Sequence, residues 1–147
     1  LIQASERENQ NKMNWLLGST TGYVGFIATP EPAFMQSHND LRPIVGNIYN
    51  RGLAFIDSSE DPGTIPQTMA LGMKAPYGAV DIWIDRPATQ NDIKHALRAL
   101  EVSAKEKGWA VGVIRPLPVS YETVLNWLEN IDKKDVALAP LSALMGQ

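Results

Sequence analysis

Three charged residues stand directly after apolar runs of the sequence, and they are the first candidates for chemistry. They are Asp57, Asp85 and Arg115. The runs that they follow are Leu53–Ile56, Val80–Ile84 and Trp109–Ile114. In parallel α/β sheets, the side chains at the carboxyl ends of the strands line the ligand crevice. We therefore expect the three charged side chains to lie at one such edge.

The two acidic residues fit a catalytic or a cation-binding role. Converging carboxylates serve acid/base catalysis or bind a hard cation, so Asp57 and Asp85 are the catalytic candidates, with Ser58 as a neighbouring polar contact. A simpler alternative is that each aspartate caps the loop after its strand, as Asp and Ser commonly do. Asp81 alternates with Trp83 inside a strand and is interpreted as a structural acid held in an ion pair.

Other residue types narrow the possible chemistry. The chain has no cysteine, which excludes disulfides, thiolate metal sites and cysteine nucleophiles. Its two histidines, His38 and His95, are too far apart in sequence for an H-x-x-x-H pair, and we interpret both as solvated helix residues. The sequence contains no G-x-S-x-G motif and no glycine-rich phosphate loop. Its Trp and Tyr residues could form a sugar-stacking platform, although core packing is favoured.

Bulk properties restrict the partners. A net charge of −3 without a basic stripe argues against nucleic acid and against an anionic membrane surface. No apolar run approaches the roughly 20 residues that span a bilayer. The 147 residues suffice for one domain, and we predict a single domain over 1–147. The chain lacks an initiator Met and a signal-peptide pattern at its start, so we expect a processed or excised fragment.

Helices and strands alternate along the chain. Capping residues predict helices that begin after Ser5, Ser37, Thr89 and Ser120. The helix after Thr89 is predicted to end at Gly108, and a further helix is predicted from about Ile65 to Met73. Strands are predicted at Gly22–Ala28, Leu53–Ile56, Val80–Ile84, Trp109–Ile114 and Val136–Leu138. The stretch from Trp109 is apolar at successive positions, which predicts a strand buried on both faces. Short connections between the elements indicate right-handed crossovers and a parallel sheet of about five strands.

Several segments resemble one known family. They are Thr21–Gly25, Arg51–Ser59, Val80–Asp85, Glu122–Leu128 and Leu138–Leu144. In this order and spacing they resemble the divergent polysaccharide deacetylase family of bacteria over nearly the whole chain. The resemblance implies the later portion of a distorted (β/α) barrel of the polysaccharide deacetylase type. The family's opening strands and paired-aspartate motif have no counterpart here, so we expect an incomplete barrel whose sheet edge is covered by the missing N-terminal segment or a second copy.

The resemblance also bears on zinc. Metal-competent members carry histidines at two positions that correspond here to Thr29 and Arg115. Threonine is a poor neutral ligand, and a guanidinium stays protonated and cannot ligate. The resemblance therefore predicts no metal ligand and no cofactor in this chain. It leaves Arg115 as a clamp for an anion or a hydroxyl group, with Thr29 and Ser58 as substrate contacts.

These observations lead to one functional prediction and two alternatives. We predict a metal-site-deficient member of the family that binds or acts on a carbohydrate of the cell envelope, in the periplasm or envelope. An active carbohydrate deacetylase, with Asp57 and Asp85 as acid and base, is the first alternative. A non-catalytic envelope interaction module is the second.

Overall fold

The fold is α/β, with parallel strand pairs flanked by helices. A computed structural model of the chain describes residues 4–28, 32–59, 65–74, 76–131 and 135–144. Its contacts divide these residues into a first unit that ends at Ala79 and a second unit from Val80 to Leu144. The α/β class and the parallel strands predicted from the sequence are confirmed.

The first unit contains a three-stranded parallel sheet. Its elements are α1 (Glu6–Ser19), β1 (Gly25–Ala28), α2 (Pro32–Met35), α3 (His38–Asn50), β2 (Ala54–Asp57), α4 (Ile65–Met73) and β3 (Tyr77–Ala79). The strand order is β1-β2-β3, and Phe55 of β2 lies opposite both Phe26 and Tyr77. β3 was not predicted from the sequence, because a three-residue strand with a central glycine carries no periodic apolar signal.

The core of the first unit forms between α3 and the sheet. The buried stripe of α3 consists of Leu41, Ile44, Val45 and Ile48, which recur at helical spacing. Ser37 caps this helix, as predicted, and Gly52 follows its end with a φ of +70°, a conformation that glycine adopts without strain. All four residues of β2 are buried, so β2 is a central strand covered on both faces.

The second unit contains a two-stranded parallel sheet and two long helices. Its elements are β4 (Ile82–Trp83), α5 (Gln90–Lys107), β5 (Gly112–Val113), α6 (Pro118–Asn130) and a 3-10 turn (Leu141–Leu144). Ile84, Ile93 and Leu97 form its buried core. The predicted start of α5 after Thr89 and its end at Gly108 are confirmed, since the Thr89 side chain accepts the Asp92 N–H and Gly108 is left-handed.

Three predictions about the second half of the chain are wrong. The stretch from Trp109 is a strand only at Gly112–Val113, and Trp109 itself is 38% exposed. The Asp81 carboxylate accepts the Val111 N–H at 2.8 Å, and the Val111 carbonyl accepts the Asp81 backbone N–H at 2.8 Å, so the chain at Val111 does not follow the regular pairing of a strand. Val136–Leu138 is not a strand. Ser120 is not a helix cap, because α6 begins two residues earlier with Pro118 in its first turn.

Three interpretations of polar and aromatic residues are tested by exposure and contacts. Asp81 forms an ion pair with Lys107 at 2.8 Å, which confirms its structural role. His38 and His95 are both exposed on helices, as interpreted. The prediction that the Trp and Tyr side chains pack in the core is wrong for several of them, of which Trp15 is 74% exposed.

Candidate functional site

The most fully connected polar site of the second unit is built around Asp85. This residue follows β4 and is completely buried. Its Oδ2 accepts the backbone N–H of Arg115 at 2.8 Å and the hydroxyl of Ser120 at 2.7 Å, and its Oδ1 accepts the Arg115 Nε–H at 3.3 Å. One carboxylate therefore joins the segments that follow β4 and β5 to the first turn of α6.

Strand register explains why Asp85 and Arg115 meet. Trp83 lies opposite Val113 in the parallel pair β4–β5. Each charged residue stands two positions beyond its strand's paired residue, so both arrive at the same level of the sheet edge. Each residue was predicted at a strand end, but the pair that they form was not predicted.

Arg115 is held in place but remains partly accessible. Besides its Nε–H bond to the carboxylate, its Nη2 donates to the backbone carbonyl of Asp85. The side chain is 44% exposed. Its other guanidinium N–H groups have no hydrogen-bond partner among the described residues. A fixed guanidinium with N–H groups to spare can bind an oxyanion or a sugar hydroxyl.

The surroundings of Asp85 keep its carboxyl group ionised. Burial acts to raise the pKa of Asp85, but it is outweighed by hydrogen bonds from the Ser120 hydroxyl and from the backbone and side chain of Arg115, together with the Arg115 charge. The pKa of Asp85 therefore lies below its ordinary value of 3.8. A carboxylate with a lowered pKa is a weak base and a stable anchor for a cation.

This lowered pKa predicts that acid destabilises the protein. Below about pH 4 the unfolded chain binds a proton at Asp85 that the folded chain does not bind, so the stability from this group is intact above that pH and is lost as the pH falls through the folded pKa. We expect the stability difference between the wild type and Asp85→Asn to shrink progressively as the pH falls below about 4. Thermal unfolding of both proteins across this range checks the prediction, and a constant difference would contradict it.

Asp57 and Ser58 hold the loop that follows β2 in the first unit. Asp57 is 1% exposed, and its Oδ1 accepts the backbone N–H of Ser59 at 2.9 Å and its hydroxyl at 2.5 Å. Its Oδ2 accepts the Tyr77 hydroxyl at 3.1 Å, and the Ser58 hydroxyl donates to the carbonyl of Ala28. These bonds are those of a loop cap, and they also link the carboxyl end of β2 to the end of β1 at Ala28 and to the first residue of β3, Tyr77.

The predicted site residues thus fall into two described groups. Asp85 and Arg115 are brought together in the second unit, and Asp57 and Ser58 are brought together in the first. Thr29 lies outside the described residues.

Two further participants were missed in the sequence analysis. Ser120 was interpreted as a helix cap, although Pro118 two residues earlier is the typical sign of the first helical position and would have placed the hydroxyl inside the helix. Tyr77 was missed together with its strand, and no sequence signal marked it as the partner of Asp57.

The donor set at Asp85 does not fit a metal ion. Both carboxylate oxygens already accept hydrogen bonds from Arg115 or Ser120, and a guanidinium cannot ligate because it stays protonated. Among the residues that the structure describes, no group of three or more His, Cys, Asp and Glu side chains could hold a metal ion. A metal at this position would require Arg115 to leave the carboxylate.

The family model for divergent polysaccharide deacetylases matches residues 1–145. The chain belongs to this family. A comparison with curated proteins finds no match. Among solved structures, an uncharacterized protein of Agrobacterium tumefaciens C58 superimposes with a TM-score of 0.93 at 24% identity, over 99% of this chain and 59% of that one.

The structural similarity shows the fold of this deacetylase-family chain. The chain spans about 59% of the length of the A. tumefaciens protein. Within its described residues, no helix is both long enough and apolar enough to span a membrane.

Proposed function

We propose that this member of the divergent polysaccharide deacetylase family binds a carbohydrate of the cell envelope through Arg115, without a zinc centre built by its own residues. The observation that carries the proposal is the use of the buried Asp85 carboxylate to hold the Arg115 guanidinium. Family membership supports a carbohydrate ligand and an extracytoplasmic, periplasmic or envelope location.

The geometry favours a positioning role for Asp85 over acid/base catalysis. A general acid or base must reach the reacting group and needs a pKa near the working pH. Asp85 is fully buried, its oxygens accept three hydrogen bonds, and its pKa is lowered. Asp57 is 1% exposed, and among the described residues the Ser59 N–H, the Ser59 hydroxyl and the Tyr77 hydroxyl donate to its oxygens. Both carboxylates therefore support the loops at the strand ends rather than move protons.

The proposal includes a barrel that is completed by further polypeptide. In the described part of the chain, β1 pairs only with β2, which leaves its other edge unpaired. The neighbouring apolar side chains Val24 and Ile27 are 76% and 52% exposed. Unpaired edges and apolar faces favour association, which supports coverage of this edge by an N-terminal segment or by a second copy.

The test of the Arg115 clamp is a binding titration. We expect Arg115→Gln to weaken binding of chitotetraose about tenfold or more, because hydrogen bonds from a charged donor contribute about 1.5–3 kcal/mol. Isothermal titration of the full-length protein measures this change. Arg98→Gln is the matched control, since it removes the same charge from an exposed position of α5 and should leave binding unchanged.

A second measurement separates this proposal from an active deacetylase. We expect no tight stoichiometric zinc binding and no release of acetate from chitotetraose. Zinc-dependent acetate release that Asp57→Asn or Asp85→Asn abolishes would instead establish the catalytic alternative. Equal chitotetraose binding by the wild type and Arg115→Gln would reject the clamp.

A further inference from the structure

The face of α3 opposite its buried stripe is rich in residues that do not favour a helix. Opposite its buried stripe stand Asn39, Arg42, Pro43, Gly46, Asn47 and Asn50. Asparagine, glycine and proline are among the poorer helix formers, and this partly exposed face borders a groove, where strong helix formers would be accommodated. Residues whose intrinsic preference opposes the local secondary structure are typical of functional positions.

This face lines a polar groove in the first unit. The groove has a volume of about 850 Å³, and Glu6 and Gln10 of α1 line its other side. Gly46 keeps part of it open, because no atom lies within 4 Å of the position that a Cβ at Gly46 would occupy. The groove belongs to the helix layer and shares no residue with Asp57 or Ser58.

Arg51 is fixed at this groove by neutral groups. Its Nε donates to Asn47 Oδ1 at 2.9 Å, and its Nη2 donates to Asn14 Oδ1 at 3.2 Å. The Asn47 amide also donates to Asn14 Oδ1 at 3.4 Å, which connects the two acceptors. Neutral amide oxygens fix the orientation of the Arg51 guanidinium, but they do not neutralise its positive charge.

Arg42 adds a second uncompensated cation. Within the described residues, neither Arg42 nor Arg51 has a carboxylate at ion-pair distance, while the described ion pairs involve Lys105, Lys107 and Arg115. The one carboxylate that lines the groove, Glu6, accepts a hydrogen bond from Gln10 at 3.1 Å.

We propose that this groove binds an oxyanion, either a carboxylate or a phosphate, carried by a glycan. Arg42 and Arg51 bind the anion, since guanidinium groups match planar oxyanions with paired N–H donors. The amides of Asn39, Asn50 and Gln10 supply donors and acceptors for adjacent hydroxyl groups. This site is separate from the Arg115 clamp and does not depend on it.

The test follows backbone amide signals by NMR while the full-length protein is titrated with trigalacturonate or with glycerol phosphate. We expect shifts at the Gly46 and Asn50 amides with at least one probe, and binding weakened about tenfold or more in Arg42→Gln and in Arg51→Gln. Response to trigalacturonate identifies a carboxylate ligand, and response to glycerol phosphate identifies a phosphate ligand. Arg98→Gln, with the same loss of charge in the second unit, should bind as the wild type does.

Two variants distinguish a loss of binding from a loss of folding. Arg42 makes no described hydrogen bond, so Arg42→Gln tests the proposal even if Arg51→Gln unfolds. Gly46→Leu should fill the groove and abolish binding while the melting temperature stays equal or rises. Absence of shifts with both probes would overturn the proposal, as would an equal loss of affinity in Arg98→Gln. Chitotetraose binding should be unaffected by Arg42→Gln, which separates this site from the Arg115 clamp.

Discussion

Replacing Asp85 with alanine is expected to lower the free energy of unfolding by about 3 kcal/mol. The substitution removes the acceptor of three hydrogen bonds and leaves the buried Ser120 hydroxyl and the Arg115 backbone N–H without a partner. A buried donor that loses its acceptor costs about 1–3 kcal/mol. The Arg115 guanidinium contributes less to the loss, because its side chain is 44% exposed and can be hydrated.

Urea unfolding of the wild type and the variant measures this loss. Ser120→Ala removes one donor only and should cost about 1 kcal/mol. Glu106→Ala removes an exposed carboxylate of α5 and should change stability by less than about 0.5 kcal/mol. If Asp85→Ala were as stable as Glu106→Ala, Asp85 would not be the anchor of this site.

Replacing Gly25 with alanine is expected to lower the free energy of unfolding by a similar amount, about 3 kcal/mol. Gly25 of β1 lies opposite Ala54 of β2 in the parallel register. A Cβ at Gly25 would stand 2.5 Å from the Ala54 carbonyl oxygen and 2.8 Å from the Ala54 Cβ. Backbone and Cβ atoms cannot rotate away, so the two strands must separate, and β2 is the fully buried central strand.

The same substitution at Gly46 provides a control with the opposite sign. No atom lies within 4 Å of a Cβ at Gly46, and alanine is the better helix former by about 0.5–1 kcal/mol, so Gly46→Ala should stabilise α3. Thermal unfolding distinguishes the two variants directly. A loss of stability at both positions, or at neither, would contradict the close approach of β1 to β2.

The helices were predictable because their signals are local. The capping residues Ser37 and Thr89 mark the beginnings of α3 and α5, and Gly108 marks the end of α5. The boundaries of α4 at Ile65 and Met73 agree with the prediction. Each of these signals acts within a few residues along the chain, where sequence alone defines the geometry.

The strands were less predictable because their partners lie far away in sequence. The apolar stretch from Trp109 resembles a doubly buried strand, but only Gly112–Val113 pairs, and Trp109 is 38% exposed. The fully buried strand is β2, which pairs with β1 on one side and with β3 on the other. Apolar composition does not reveal which strand is central, since that depends on the order of the strands in the sheet.

The candidate site was predictable in position but not in connectivity. The rule that side chains at the carboxyl ends of strands line a ligand crevice drew attention to Asp57, Asp85 and Arg115, whose contact with a ligand stays a prediction. Their hydrogen bonds depend on register and on the direction of buried side chains. The contact of Asp85 with Ser120 spans 35 positions in sequence, and no local pattern contains that information.

Asp85 holds the loop after β5 through a backbone bond as well as through the side chain of Arg115. The carboxylate accepts the backbone N–H of Arg115, a group that every residue except proline possesses, as well as the guanidinium. The loop after β5 therefore keeps one tether even when the side chain at this position changes. The same backbone can therefore present a guanidinium or a different side chain at this sheet edge without losing its hydrogen bond to Asp85.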